Sequence, residues 1–214
     1  MSTQTPHLSM DRFRQLGVEL FCRAMCAAGY LYFCHAVLSA FMDNRSLPVL
    51  LLLVAETITV VLIITARIPK VVDRSLYAST IAVAATFYFM VVNVKDGERL
   101  LPITVTVSIQ LMGIVLQIAA KLALARSFGI LPANRGIVSS GPYRLVRHPM
   151  YLGYFLNHLG FFLALASWGN LLVYTALYLL QTLRVLAEER ILTKDAAYCE
   201  YTRRVPYRVI PGLF

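Results

Sequence analysis

The residues best suited to chemistry lie in one short strip, Gly141-Pro142-Tyr143-Arg144-Leu145-Val146-Arg147-His148-Pro149-Met150-Tyr151-Leu152-Gly153. It sets arginines, a histidine and tyrosines between apolar segments. Gly141-Pro142 is a turn signal. Pro149 turns His148 away from helical dihedrals and itself suits the first position of a helix. A helix is therefore expected to start near Pro149, with His148 just before it. The free N–H groups of a first helical turn attract an anion, and Arg144 and Arg147 add positive charge. The strip is expected to hold a small ligand with an anionic part.

A second group, Arg184, Glu188 and Glu189, follows an apolar stretch from Tyr151 to Leu183 that holds no Asp, Glu, Lys or Arg. Arg184 and Glu188 are four apart and share a helix face. On a soluble helix they would be an ordinary surface pair. Here they emerge from apolar helices at the level of the strip, which favours function. The tail Tyr198-Cys199-Glu200-Tyr201-Thr202-Arg203-Arg204-Val205-Pro206-Tyr207-Arg208 suits an interfacial anchor, a lid over a cofactor, or both.

Composition says what must position these groups. The 214 residues are 58% hydrophobic and 14% charged, and several apolar runs approach the roughly 20 residues that cross a bilayer. The expected fold is all-α: a polytopic membrane protein of about six spans, forming one compact domain. The spans read Leu16 to Met42, Pro48 to Ala66, Ser75 to Val94, Pro102 to Ala125, then a hairpin of Pro149 to Ala166 and Leu171 to Leu183. Arg184 to about Arg203 reads as a charged amphipathic helix continuing the hairpin, and Val205 to Phe214 as an extended tail. Met1 to Gln15 is a polar arm without the apolar core of a cleaved leader.

The net charge of +9 is distributed for membrane orientation rather than nucleic-acid binding. With six crossings, all but Arg45, Lys95 and Arg99 of the 20 lysines and arginines fall on one side. That side, with both termini and the strip, is expected to be cytoplasmic. His35, Glu56, Asn93, Gln110, Gln117, Asn157, His158 and Gln181 lie at membrane depth. Glu56 is the most costly of them; it either lines a cavity or is protonated and bonded to another helix. Asn157 and His158 read as interhelical glue. His148 and His158 are ten apart with no acid between them, so no metal site is expected. Cys22, Cys26, Cys34 and Cys199 form no zinc or redox motif.

The strip Gly141-Pro142-Tyr143, then Arg147-His148-Pro149-Met150-Tyr151-Leu152-Gly153, resembles the signature of the isoprenylcysteine carboxyl methyltransferase family. So do Glu188-Glu189 and the tail Tyr198, Tyr201, Val205-Pro206. The resemblance covers about Arg126 to Phe214. It implies a catalytic region over 126–214, after a four-helix membrane region over 1–125. It implies S-adenosyl-L-methionine as cofactor and a lipophilic acceptor entering from the bilayer: an isoprenylcysteine, isoprenoid or phospholipid, methylated at a carboxylate in the leading reading. By position, Arg135, Gly136, Ile137, Val138, Tyr143, Arg147, His148, Pro149, Met150, Tyr151 and Glu188 would bind the cofactor. Arg184 would contact substrate, and Arg184, Glu188 and Glu189 would form the catalytic set. Ile191 to Ala197 departs from the family in lacking a Phe-Gly step. A sterol-type membrane reductase using NADPH and a non-catalytic membrane scaffold are the alternatives.

Overall fold

The computed structural model describes residues 7–45, 47–69, 71–72, 75–86, 88–93 and 97–214, although some side chains within these helices are not described. The described architecture is a helical membrane bundle. Its helices are α1 (His7–Asn44), α2 (Leu47–Thr65), α3 (Leu76–Thr86), α4 (Ile103–Leu124), α5 (Pro149–Ala164), α6 (Trp168–Leu192) and α7 (Ala196–Arg204). Short 3₁₀ turns lie at Tyr88–Val91, Ala125–Ser127 and Gly141–Arg144. Two extended residues, β1 (Val71–Val72), pair antiparallel with β2 (Ala133–Asn134) and tie the α2–α3 connection to the loop before the strip.

Arg23–Asp43, Ile103–Ser127 and Trp168–Leu192 are long and apolar enough to cross a membrane. Val49–Thr65 and Leu76–Thr86 are shorter apolar helices, and α5 has 16 residues. The expected count of about six thus rests on three full-length helices and three short ones.

Several boundaries move. The polar arm is helical from His7, with Met1 to Pro6 outside the described residues. The third expected span, Ser75 to Val94, is an α-helix over Leu76–Thr86 and a 3₁₀ turn over Tyr88–Val91, with the Tyr88 hydroxyl on His158. The helix carrying Arg184 does not run on to Arg203. It ends at Leu192, and Asp195 caps a new helix by accepting from the Ala197 N–H at 3.0 Å. Ser167 caps α6 likewise, accepting from the Asn170 N–H at 3.2 Å.

The antiparallel pair α4 and α5 is the tightest contact of the bundle, because glycine faces backbone. A Cβ on Gly153 would lie 2.8 Å from the Gly113 carbonyl oxygen, and one on Gly160 2.7 Å from that of Thr106. Without a hydrophobic drive between helices in lipid, such close approach supplies the packing energy. Gln117 also donates to the Gly153 carbonyl at 3.2 Å.

Between α5 and α6, rings do the bridging. The buried His158 ring meets the Tyr178 hydroxyl at 2.7 Å and the Tyr88 hydroxyl at 2.5 Å, and it stacks on Tyr174. At the end away from the strip, Asn170 donates to the Asn93 and Leu165 carbonyls and accepts from the Asn93 N–H. Glu98 and Ala166 exchange two backbone bonds of 2.8 Å nearby. These latches bring the ends of α4, α5 and α6 together. The strip, the end of α6 and the tail then share the other end of the bundle.

Candidate active site

The strip folds as its prolines dictate. Gly141, at φ +58°, opens the 3₁₀ turn. His148, at φ −128° and ψ 58°, stands just before α5, whose first residue is Pro149. The Tyr151 N–H is already turned back to the His148 carbonyl at 3.1 Å.

The tail lies along the strip as an extended partner. The Arg147 N–H donates to the Tyr207 carbonyl at 3.0 Å and the His148 N–H to the Arg208 carbonyl at 2.7 Å. Tyr201 donates its hydroxyl to the Tyr143 carbonyl at 2.6 Å. The tail ends in a closed turn in which Val209 and Ile210 donate to the Phe214 carbonyl, and the Arg208 guanidinium sits over the Phe214 ring. Only Val205 to Tyr207 keep the expected extended form.

Glu189 is the hub. Its Oε1 receives Arg147 Nε at 2.8 Å and the Tyr198 hydroxyl at 3.1 Å, with His148 Nε2 at 3.3 Å. Its Oε2 receives Arg208 Nε at 2.7 Å. Arg147 Nη1 also donates to the Val205 and Pro206 carbonyls. The positive charge expected to serve a ligand at Arg147 is therefore engaged by Glu189 and the tail backbone. Arg144, the other expected cation, is exposed.

Next to this clamp is a hollow with about 710 Å³ of empty space, part of it open to solvent. Of the sequence-expected cofactor residues, Arg135, Gly136, Ile137, Val138, Tyr143, Arg147, His148, Met150, Tyr151 and Glu188 line it. Pro149 does not; it is buried at the start of α5. Glu189, adjacent to Glu188 in sequence, is not part of the lining either. One residue along a helix is a turn of about 100°, which points one carboxylate at the hollow and the other at the clamp. Glu188 and Tyr151 face the same hollow. Arg184 donates to the Ile130 carbonyl at 2.6 Å, and its guanidinium lies over the Tyr151 ring, 5.9 Å from its centre.

Further lining comes from Leu124, Ser127, Phe128, Gly129, Leu131 and Ala133, which sequence reading did not assign to the site. Gly129 carries the signal that was passed over: any Cβ there would strike the Arg135 guanidinium. Asn134 donates to Asp195 at 2.8 Å and fastens this loop to the start of α7. Tyr198 and Tyr201 close the hollow from α7. Burial raises the Tyr143, Tyr198 and Tyr201 hydroxyl pKa values, that of Tyr201 to about 12, so all three stay neutral donors.

Among the groups at membrane depth, Asn93, Gln117, His158 and Glu56 find side-chain partners or bonds across the bundle, whereas Gln181 Oε1 is buried without one among the described residues. Glu56 pairs with Lys121 at 3.2 Å between α2 and α4. This corrects the placing of Lys121 among the surface charges of the strip's side: its side chain is fully buried. The reason is that Glu56 and the Ala55 carbonyl satisfy its ammonium inside the bundle. Lys70, Arg74 and Lys95, also used in the charge count, lie outside the described residues, as does the side chain of Cys22. No group of three or more metal-ligating side chains occurs among the described residues.

Comparison with known proteins agrees with this architecture. Residues 102–197 match the phospholipid methyltransferase family model. The solved structure of the eukaryotic intramembrane Ras methyltransferase ICMT (isoprenylcysteine carboxyl methyltransferase) shares the fold at a TM-score of 0.51. The identity is 18%, and the match covers 98% of this chain and 88% of that one. No curated protein matches the sequence. The family match spans less than half of the chain, from the start of α4 to the start of α7, so over that region this integral membrane helical chain is similar to phospholipid methyltransferases, and it shares the membrane fold of the solved structure.

Proposed function

We propose that the chain is an S-adenosyl-L-methionine-dependent methyltransferase acting on a lipophilic acceptor. The observation that carries this reading is the placing of Glu188, Tyr143, Tyr151 and the 135–138 segment around one hollow, beside Arg184. A carboxylate among aromatic rings suits a ligand bearing cationic and hydroxyl groups. When bound, the cofactor supplies a methyl group on a sulfonium.

The residues of this chain bind, orient and dry the site. Glu188 holds an ammonium or ribose hydroxyls. The first turn of α5 offers the Met150 backbone N–H to a carboxylate. Tyr143, Tyr198 and Tyr201 exclude water. Arg184 orients the acceptor. A carboxylate acceptor needs no general base, because an anion and a sulfonium neutralise each other as the methyl is transferred. A low-dielectric site favours that charge loss, and alignment supplies the rest.

Glu189 is assigned a positioning role, since its carboxylate is filled by the clamp. Residues 126–214 form the catalytic region, and residues 1–125 supply most acceptor contacts. The basic end of the bundle, with the hollow, faces the cytoplasm. Calorimetry with S-adenosylmethionine on the purified protein tests the reading. Binding that is lost in Glu188→Ala supports it; no binding by the native protein, or a requirement for a nicotinamide cofactor, overturns it.

A further inference from the structure

The Glu56–Lys121 pair has no part in the clamp or the hollow's lining. Lys121 is fully buried and Glu56 nearly so. Replacing such a pair with apolar side chains of similar size is often neutral or stabilising, so stability alone does not explain it. In a membrane bundle an ionisable pair marks function by default.

What the pair touches indicates that function. Lys121 Nζ donates to the Ala55 carbonyl and to Glu56, both at 3.2 Å, and lies over the Tyr154 ring, 5.6 Å from its centre. Tyr154 meets the Tyr151 ring edge-on, at 6.3 Å between centres and 85° between planes. Tyr151 lines the hollow with Glu188 and carries Arg184 over its face. An unbroken run of contacts thus leads from α2 through α4 and α5 to Arg184 of α6, assigned to the acceptor. A phenol ring alone can rotate about its side-chain torsions; one packed against a buried, paired ammonium cannot do so cheaply.

We propose that the buried Glu56–Lys121 pair is a positioning device that holds Tyr154, and through it Tyr151, as the membrane-side wall of the hollow. The pair is not a ligand for cofactor or acceptor. Its role in binding rests on the proposed function, whereas its role in holding Tyr151 does not.

The test uses the full chain in detergent micelles, comparing native protein, Tyr154→Leu, the double variant E56M/K121M and the triple variant combining them. Two readouts are taken: the S-adenosylmethionine Kd by calorimetry, and the ¹⁹F resonance of 3-fluorotyrosine placed at position 151. The expected result is an unchanged or higher Tm for E56M/K121M. Binding should weaken about tenfold in both Tyr154→Leu and the double variant, the size of a coupling between contacting groups. The triple variant should show no further loss. The position-151 resonance should shift or split in every variant. Native Kd and an unmoved resonance in a folded E56M/K121M overturn the proposal, as do losses that add in the triple. If E56M/K121M does not fold, Tyr154→Leu decides: an unmoved resonance overturns the proposal. If the native protein binds no S-adenosylmethionine, the proposed function fails, and the ¹⁹F resonance still decides on the pair.

Discussion

Arg147 and Glu189, 42 residues apart in sequence, meet at 2.8 Å with both side chains buried. This pair joins the strip before α5 to the end of α6. Because Arg147 also donates to the Val205 and Pro206 carbonyls, it fastens the tail to both. The clamp holds the strip, the end of α6 and the tail together, and the residues lining the hollow lie beside it.

The two adjacent glutamates should therefore behave oppositely. Glu189→Ala leaves Arg147, His148 and Arg208 without their common partner. Breaking a buried charge pair costs about 3–5 kcal/mol, so a fall in stability and in folded yield is expected. Glu188→Ala should keep the native Tm and weaken S-adenosylmethionine binding by about tenfold or more, the loss of one charge-assisted contact. Thermal denaturation together with calorimetry on the two variants separates the roles. Equal loss of Tm in both would refute the division.

Arg184→Ala should spare cofactor affinity and depress methyl transfer, because its guanidinium lies over Tyr151 rather than among the hollow's lining. Incubating the variant with labelled S-adenosylmethionine and lipid extracts measures this. A cofactor Kd that rises with the loss of transfer would move Arg184 into the cofactor set.

Widening the α4–α5 contact should be severe. Gly153→Leu drives side-chain atoms into the Gly113 carbonyl and Gln117, and Gly160→Leu into Thr106 and Gln110. Overpacking of this kind costs about 1–3 kcal/mol or more, and backbone on the far side cannot yield. Both variants are expected to elute as aggregates in size-exclusion chromatography. Gly17→Ala, where a Cβ meets nothing within 4 Å, should elute like the native protein.

Alkaline pH should loosen the α7 side of the hollow. Tyr201 has its pKa raised to about 12 by burial, with those of Tyr143 and Tyr198 also raised. The unfolded chain loses these protons near pH 10 and the folded chain holds them to higher pH. The unfolded state then binds fewer protons, so stability falls as pH rises from about 10 to about 12. Their contribution is fully present below pH 10. Tm measured across this window should drop, and less steeply in Tyr201→Phe.

Much of this protein is legible in its residues because the signals are local. Apolar runs announce helices, Pro149 starts α5 where it stands, and Gly141 turns the chain before it. Arg147, His148, Glu188 and the segment 135–138, which the family resemblance groups together, line one hollow, and Pro149 does not. What sequence could not carry were partnerships at long separation. Glu188 and Glu189 differ by one position, and only the packing of α6 decides which carboxylate meets the hollow and which meets Arg147. Lys121 looks like a surface cation until Glu56, 65 residues earlier, takes it into the bundle. Tyr88 finds its partner in His158, 70 residues away. Side-chain chemistry and chain stiffness act over a few residues and can be read in order. Charge pairing, ring contacts and glycine-on-backbone packing join distant segments, and they take a definite form only once the helices have docked.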